Sequence, residues 1–454
     1  MRRTRRWAAS CLVAALAAVP LASGGSPAVA AGDGTRGKVA GMSVTPATRP
    51  QQLSDIDLAR IRATGINTVA LDVWWDVDTN SSNSMHPGAI TAPDQALALT
   101  MQLAKSYGMK VTLTPKLWCP LCASTSFWRG VFKPTDPHQW FVNYRSFIVH
   151  YAQLAQQQGV SLFFVGSEYD SMQVPVFADE WRAVINAVRG VYHGQVTYES
   201  LFQSWYVVAF WRDVDVIGIS AYFPLTDEPD PSLATLLAAW HGSFDPFWRG
   251  RNWFAELAWL SAVNGRPILF GEAGYLSANG AAHMPYDGKA HGNPVNQALQ
   301  ARLYQAMLMT FEGQPWWMGA LWWQWFEGSG GLPGDTSFTP RGKQAEQLLK
   351  SWYVQDWRPG TPGGPAAANP LPTAPSAPPG GASAVVNSVT AAAGLPVKAP
   401  VKKSTASPAT RNAGATASAP SSRPVTAPLV ATALLVVMAG ALRALAARRG
   451  RAER

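Results

Sequence analysis

Two glutamates stand where short apolar runs stop. Residues 161–170 read SLFFVGSEYD and residues 266–275 read RPILFGEAGY, so Glu168 and Glu272 each follow an apolar run and a pair of small or flexible residues. A short apolar run between turn residues is the pattern of a strand covered on both faces, as in a parallel sheet. An acid just beyond it sits at the C-terminal mouth, where α/β folds hold their chemistry. Two facing carboxyl groups can divide acid–base work, one kept protonated and the other ionised. At a separation of roughly 5–5.5 Å such a pair can open a glycosidic bond with retention, one acid protonating the leaving oxygen and the other attacking carbon. The alternative at each position is a buried structural glutamate paired with an arginine.

The elements needed to bring the two acids together can be read along the chain. Strands are predicted over residues 38–44, 67–75, 110–117, 162–165, 195–199, 216–223, 268–270 and 319–325. Helical spacing falls at 54–64, 94–107, 140–158, 177–192, 206–214, 296–311 and 343–353, with two further helical pieces in a Trp-rich excursion over 226–265. Eight strand–helix repeats in one stretch are the count of a (β/α)8 TIM barrel of the α/β class, here spanning residues 38–356. A doubly wound sheet shares this alternation, but no Gly-rich phosphate loop follows the first strand. Glu168 then ends the fourth strand and Glu272 the seventh.

Aromatic residues crowd the same ends. Of 20 Trp, Trp74, Trp75, Trp118, Trp322, Trp323 and Trp325 fall at or near strand termini. Flat rings suit sugar faces, although alternation along a strand sends about half of them into the core. Period two puts Trp323 and Trp325 on one face and Trp322 on the other. Asp72, Asp76 and Lys116 are candidates for contacts to sugar hydroxyls, and Glu199 for a substrate contact or a core acid.

The runs GSEYD (166–170), TYES (197–200), FWRDVDVIGISAYFPL (210–225), ILFGEAGY (268–275) and PWWMGALWWQW (315–325) occur in order across residues 38–356. Together they resemble glycoside hydrolase family 113, whose characterised activity is on β-mannan within a clan of retaining (β/α)8 enzymes. The resemblance implies Glu168 as acid/base and Glu272 as nucleophile. It implies Tyr222 as the tyrosine that hydrogen-bonds the nucleophile, and Trp323 or Trp325 as the aromatic floor beneath the reacting sugar. Trp118, Trp75, Lys116, Glu199 and Ser167 complete the expected substrate contacts. One departure is visible: an Asn commonly precedes the acid/base in the clan and contacts the sugar 2-hydroxyl, and here Ser167 stands there. No metal or organic cofactor is implied, because two glutamates suffice for the double displacement.

The ends of the chain have other compositions. Arg2, Arg3, Arg5 and Arg6 precede an apolar run over residues 7–22, and Ala28-Val29-Ala30 offers a cleavage site, so residues 1–30 read as a signal peptide. Residues 359–427 are rich in Pro, Ala, Gly, Ser and Thr and hold no acid, the composition of a disordered linker. Residues 428–447 are apolar enough for a transmembrane helix, and the basic tail 448–454 places that end in the cytoplasm. The expected location is therefore the cell membrane, single-pass, with the barrel extracytoplasmic, monomeric and facing a polysaccharide or oligosaccharide. The chain carries +9, but 14 of its 37 bases and one of its 28 acids lie before residue 32 or after 358. The middle thus holds 23 bases and 27 acids, a net −4 that gives no reason to expect a nucleic-acid partner.

Of three cysteines, Cys11 lies in the signal segment, and Cys119 and Cys122 read as a local disulfide in an exported protein. Zinc would need two more ligands at suitable spacing, and a redox pair a thioredoxin-like context. The function expected is a retaining glycosidase. The rivals are a non-catalytic surface carbohydrate-binding or wall-assembly protein on a glycosidase-like barrel, and a stalked adhesin, which leaves the paired acids unexplained.

Overall fold

Buried β-branched and aromatic runs can satisfy their backbone only by pairing with one another, and here they close on themselves. In the computed structural model, which describes residues 35–44, 55–125, 128–286, 289–326, 332 and 334–356, eight parallel strands form a barrel. They are β1 (Val39–Val44), β2 (Thr68–Asp76), β4 (Lys110–Trp118), β5 (Leu162–Ser167), β6 (Gln195–Leu201), β7 (Val216–Ser220), β8 (Ile268–Ala273) and β9 (Trp317–Trp325). β1 pairs with both β2 and β9, which closes the ring. The two-residue β3 (His86–Pro87) pairs antiparallel with the end of β2 as an addition outside the ring.

Among the described residues eight α-helices accompany the strands: α1 (Asp55–Ala63), α2 (Asp94–Ser106), α3 (Pro137–Gln157), α4 (Ala178–Arg189), α5 (Leu233–His241), α6 (Trp253–Asn264), α7 (Gln297–Phe311) and α8 (Gln344–Tyr353). Their starts are chemically marked. Asp136, Ser232, Asn252 and Asn296 each accept a backbone N–H of the first turn, and Gly265 ends α6 at φ 64°. One predicted helix is absent. Over residues 206–214 the chain makes the 3₁₀ turns Trp205–Val207 and Trp211–Asp213 instead. Arginines take the carbonyls there: Arg182 binds Ala209 O, Arg189 binds Asp213 O, and Arg266 binds Arg212 O and Val214 O.

Two apolar layers support the mouth of the barrel. The large one lies between strands and helices, and a small one, Ala70, Leu162, Phe164, Val216, Leu269 and Leu321, plugs the interior. Above that plug the inward side chains turn polar. The described residues belong to the unit Met1–Leu395, and among them no helix is long and apolar enough to cross a membrane. The signal peptide, the linker, the membrane segment and the basic tail expected from the sequence lie outside the described residues.

Candidate active site

Alternation along a strand decides which residues face the mouth, and irregularities revise the answer. From Ala70 inward, β2 sends Asp72 and Trp74 into the barrel and Trp75 outward. Trp75 accordingly packs on Phe147, and its Nε1 donates to Tyr151 Oη at 2.7 Å, against α3. The substrate contact expected at Trp75 is therefore not met, since its side chain turns from the mouth, and Trp74 is the one that turns inward. Trp74 lies beneath Lys116 and Arg129 and meets Trp118 edge-on, with Trp118 half-buried at the rim.

Three strands shift register next to the site: β5 between Phe164 and Ser167, β8 between Phe270 and Ala273, and β9 opposite Met42 to Val44. Such bulges re-aim side chains. On β8 the shift brings Glu272 inward, where strict alternation from Leu269 would turn it out. On β9 it parts Trp323 from Trp325, contrary to the period-two expectation. Trp323 lies with Lys116 Nζ 4.9 Å from its ring, whereas Trp325 is buried on α1, donating to Asp57 and covered by Arg60. Trp325 is a packing residue.

Glu272 is buried and held at both oxygens. Lys116 Nζ donates to Oε1 at 2.6 Å and Tyr222 Oη to Oε2 at 3.0 Å. Lys116 also reaches Asp72 at 3.0 Å and is itself almost wholly buried, so it serves the carboxylates before any ligand. Burial alone would push the Glu272 carboxyl up, but Lys116, Arg129 and the two hydrogen bonds outweigh it and hold it below its usual value. Asp72 is pushed the other way, burial outweighing Lys116.

Glu168 caps β5 with φ 60°, a left-handed conformation rare outside glycine. Its N–H donates to Glu199 O at 2.8 Å, and its Oε2 accepts Trp128 Nε1 at 3.2 Å and Arg129 Nη2 at 2.9 Å. Arg129 Nη2 is also 3.7 Å from Glu272 Oε1, so the two carboxylate oxygens stand no farther apart than these lengths added together. Backbone strain of this kind gathers at functional positions.

Ser167 is fully buried. Its Oγ donates to Glu199 Oε2 at 2.7 Å and accepts Arg129 Nη2 at 3.2 Å, so it underlies the site without facing it. Glu199 is buried too, and its Oε1 has no hydrogen-bond partner among the described residues. Burial and the neighbouring Glu272 push its carboxyl up to about 8. Gly271 is required beside it, because a Cβ there would collide with Glu199 Oε1. Asp76 sits at the end of β2, buried and clear of this cluster's hydrogen bonds, with Oδ1 unpartnered among the described residues. The sulfurs of Cys119 and Cys122 are joined at the start of the loop that carries Trp128 and Arg129.

Trp128 and Arg129 are the residues that sequence reasoning missed. For Arg129 the signal was charge balance: several acids converging at one mouth need cations, and Arg129 follows the same strand as Lys116.

A closed eight-stranded barrel with desolvated carboxylates and cations gathered at its C-terminal mouth is the arrangement of a barrel enzyme. The family is narrower. The model of glycoside hydrolase family 113 matches residues 45–331, and the chain belongs to that family and is a glycoside hydrolase. Among solved structures, a β-1,4-mannanase of the family in complex superposes with TM-score 0.59 at 23% identity, over 70% of this chain and 98% of that one, a likeness of fold. The β-mannanase AaManA from Alicyclobacillus acidocaldarius, in complex with ManMIm, gives TM-score 0.59 at 25% identity over 72% of this chain and 100% of that one. A third, another β-1,4-mannanase, gives 0.56 at 25% over 69% and 98%. No curated relative matches the chain.

Proposed function

We propose that the protein hydrolyses β-linked mannan with retention, Glu272 attacking the anomeric carbon and Glu168 working as acid and then base. The observation that carries this is the contrast at Glu272. It is a buried carboxylate kept ionised by Lys116, Arg129 and Tyr222, aimed at the space it shares with Glu168. The ceiling on their separation accommodates the roughly 5–5.5 Å of a retaining pair and only touches the roughly 6.5–9.5 Å an inverting pair needs. In the first step the leaving oxygen takes the Glu168 proton while Glu272 forms the glycosyl ester. In the second, Glu168 deprotonates water, which displaces Glu272. Trp323 and Trp74 supply aromatic walls, and AaManA supports mannan as the substrate.

Azide discriminates the two roles. Glu272→Ala should lose several orders of magnitude in kcat/KM on mannan and, with azide and an aryl β-mannoside, release the α-glycosyl azide. Glu168→Ala should instead keep activity on good leaving groups and give the β-azide. The same anomer from both variants, or an unimpaired Glu272→Ala, sinks the assignment.

We further infer that residues 428–447 tether the barrel to the outer face of the cell membrane. The protein should sediment with membranes, resist salt extraction and be cut by protease added to intact cells; recovery in the cytosol overturns this.

A further inference from the structure

Arg129 holds a donor edge that neither catalytic glutamate uses. Arg129 projects from a single 3₁₀ turn, Arg129–Val131, and its side chain is only 10% exposed. A guanidinium has five N–H donors. Nε is spent on Ser167 O at 2.8 Å, and Nη2 on Ser167 Oγ and Glu168. Nη1 has no hydrogen bond or ion pair among the described residues. Packed over the Trp74 ring and otherwise enclosed, the guanidinium keeps one edge open to solvent at the mouth, where a ligand oxygen can take the place of water.

Its position limits what the acceptor can be. Nη2 lies within 3.7 Å of oxygens on both glutamates, so a sugar reacting between them passes against this guanidinium. Carbon 1 is flanked by the ring oxygen and by carbon 2 with its hydroxyl. The ring oxygen loses electron density as the oxocarbenium-like state forms and rejects a cationic donor. The 2-hydroxyl can accept from Arg129 while donating its own proton to Glu272, and contacts to it strengthen in the transition state. Ser167 cannot take this part, because it is fully buried beneath the arginine and engaged by Glu199.

We propose that Arg129 is a further catalytic residue that binds the 2-hydroxyl of the reacting sugar through its free guanidinium edge, with Ser167 and Glu199 as its positioning base. This rests on the retaining two-glutamate reading and adds the group that recognises the hydroxyl beside the reacting carbon. Glu199 accepts the Ser167 proton, which leaves a serine lone pair facing Nη2 and fixes the plane of the fork.

The test is a cycle between enzyme and substrate. The full-length parent, Arg129→Gln and Arg129→Lys are assayed on 4-nitrophenyl β-mannobioside and on its analogue lacking the 2-hydroxyl of the reacting residue. Deleting the hydroxyl should lower kcat/KM of the parent by roughly 10²–10³-fold, the size of one transition-state donor. Arg129→Gln should lose at least about tenfold more on the full substrate than on the deoxy substrate, where only its hold on Glu272 and Glu168 is missed, because coupled deletions do not add. Losses that multiply overturn the proposal. So does an equal loss on both substrates without coupling, the result expected if Arg129 only steadies Glu168. If the variants fail to fold, the parent decides alone, since indifference to the missing hydroxyl rules the contact out. A parent inert on both mannosides sinks the mannan reading instead, and the corresponding pair of β-glucosides then carries the same cycle.

Discussion

Lys116 shows how much of this site is charge arithmetic at single residues. Its ammonium lies between Asp72 and Glu272, with Arg129 beyond, and all four are nearly removed from water. In such surroundings an acid left without its cation loses stability in the ionised form. Lys116→Met should therefore destabilise the fold by about 3–5 kcal/mol, the range for breaking a buried pair. It should also act on the chemistry. Lys116 is the largest influence holding Glu272 down against burial, so its removal raises the Glu272 pKa. Activity needing Glu272 ionised would then be lost as pH falls through a higher value, moving the acid limb of kcat/KM upward. Urea unfolding and a pH–rate profile together check this, and an unmoved acid limb would separate Lys116 from the nucleophile. Glu199 is the counterpart, a carboxyl that burial and the neighbouring Glu272 push up to about 8. A protonated Glu199 spares the mouth a further negative charge.

At the scale of elements, the strand bulges matter more than the strands. Regular alternation is sufficient for β2, where it separates Trp74 from Trp75, and it fails on β8 and β9, where register shifts carry Glu272 inward and Trp325 outward. The division between the two neighbouring tryptophans can be tested. Trp75→Phe removes the hydrogen bond to Tyr151 and should cost about 1 kcal/mol of stability while leaving KM and kcat on mannan unchanged. Chemical denaturation and steady-state kinetics on one preparation decide it, and a raised KM would return Trp75 to the substrate side. The strand count, the order of strands and the positions of both glutamates were legible in the sequence, because buried parallel strands advertise themselves as unbroken apolar runs. The missing helix before β7 was not. Its residues have helical spacing, but arginines from α4 and from the start of β8 capture the carbonyls.

Across the whole molecule, composition divides the chain more sharply than any fold boundary. The barrel segment carries a net −4 and the ends carry the excess of bases, so the pI near 9.5 describes the terminal segments rather than the barrel. Family membership rests on residues 45–331, which lie within the stretch that runs from β1 to α8. A neutral polymer needs no steering by charge, and the aromatic and hydrogen-bonding mouth is suited to it.

The sequence by itself determined the eightfold repeat and the acids at the ends of the fourth and seventh barrel strands, since each depends on local pattern and a fixed place on a strand, while Tyr222 was legible only through the family resemblance. Tertiary structure alone decided which of two adjacent tryptophans faces the mouth, that Ser167 is covered, and that Arg129 joins the two glutamates. Those outcomes depend on bulges and on a loop returning over the barrel, where a displacement of one residue reverses a side chain and no local periodicity records it.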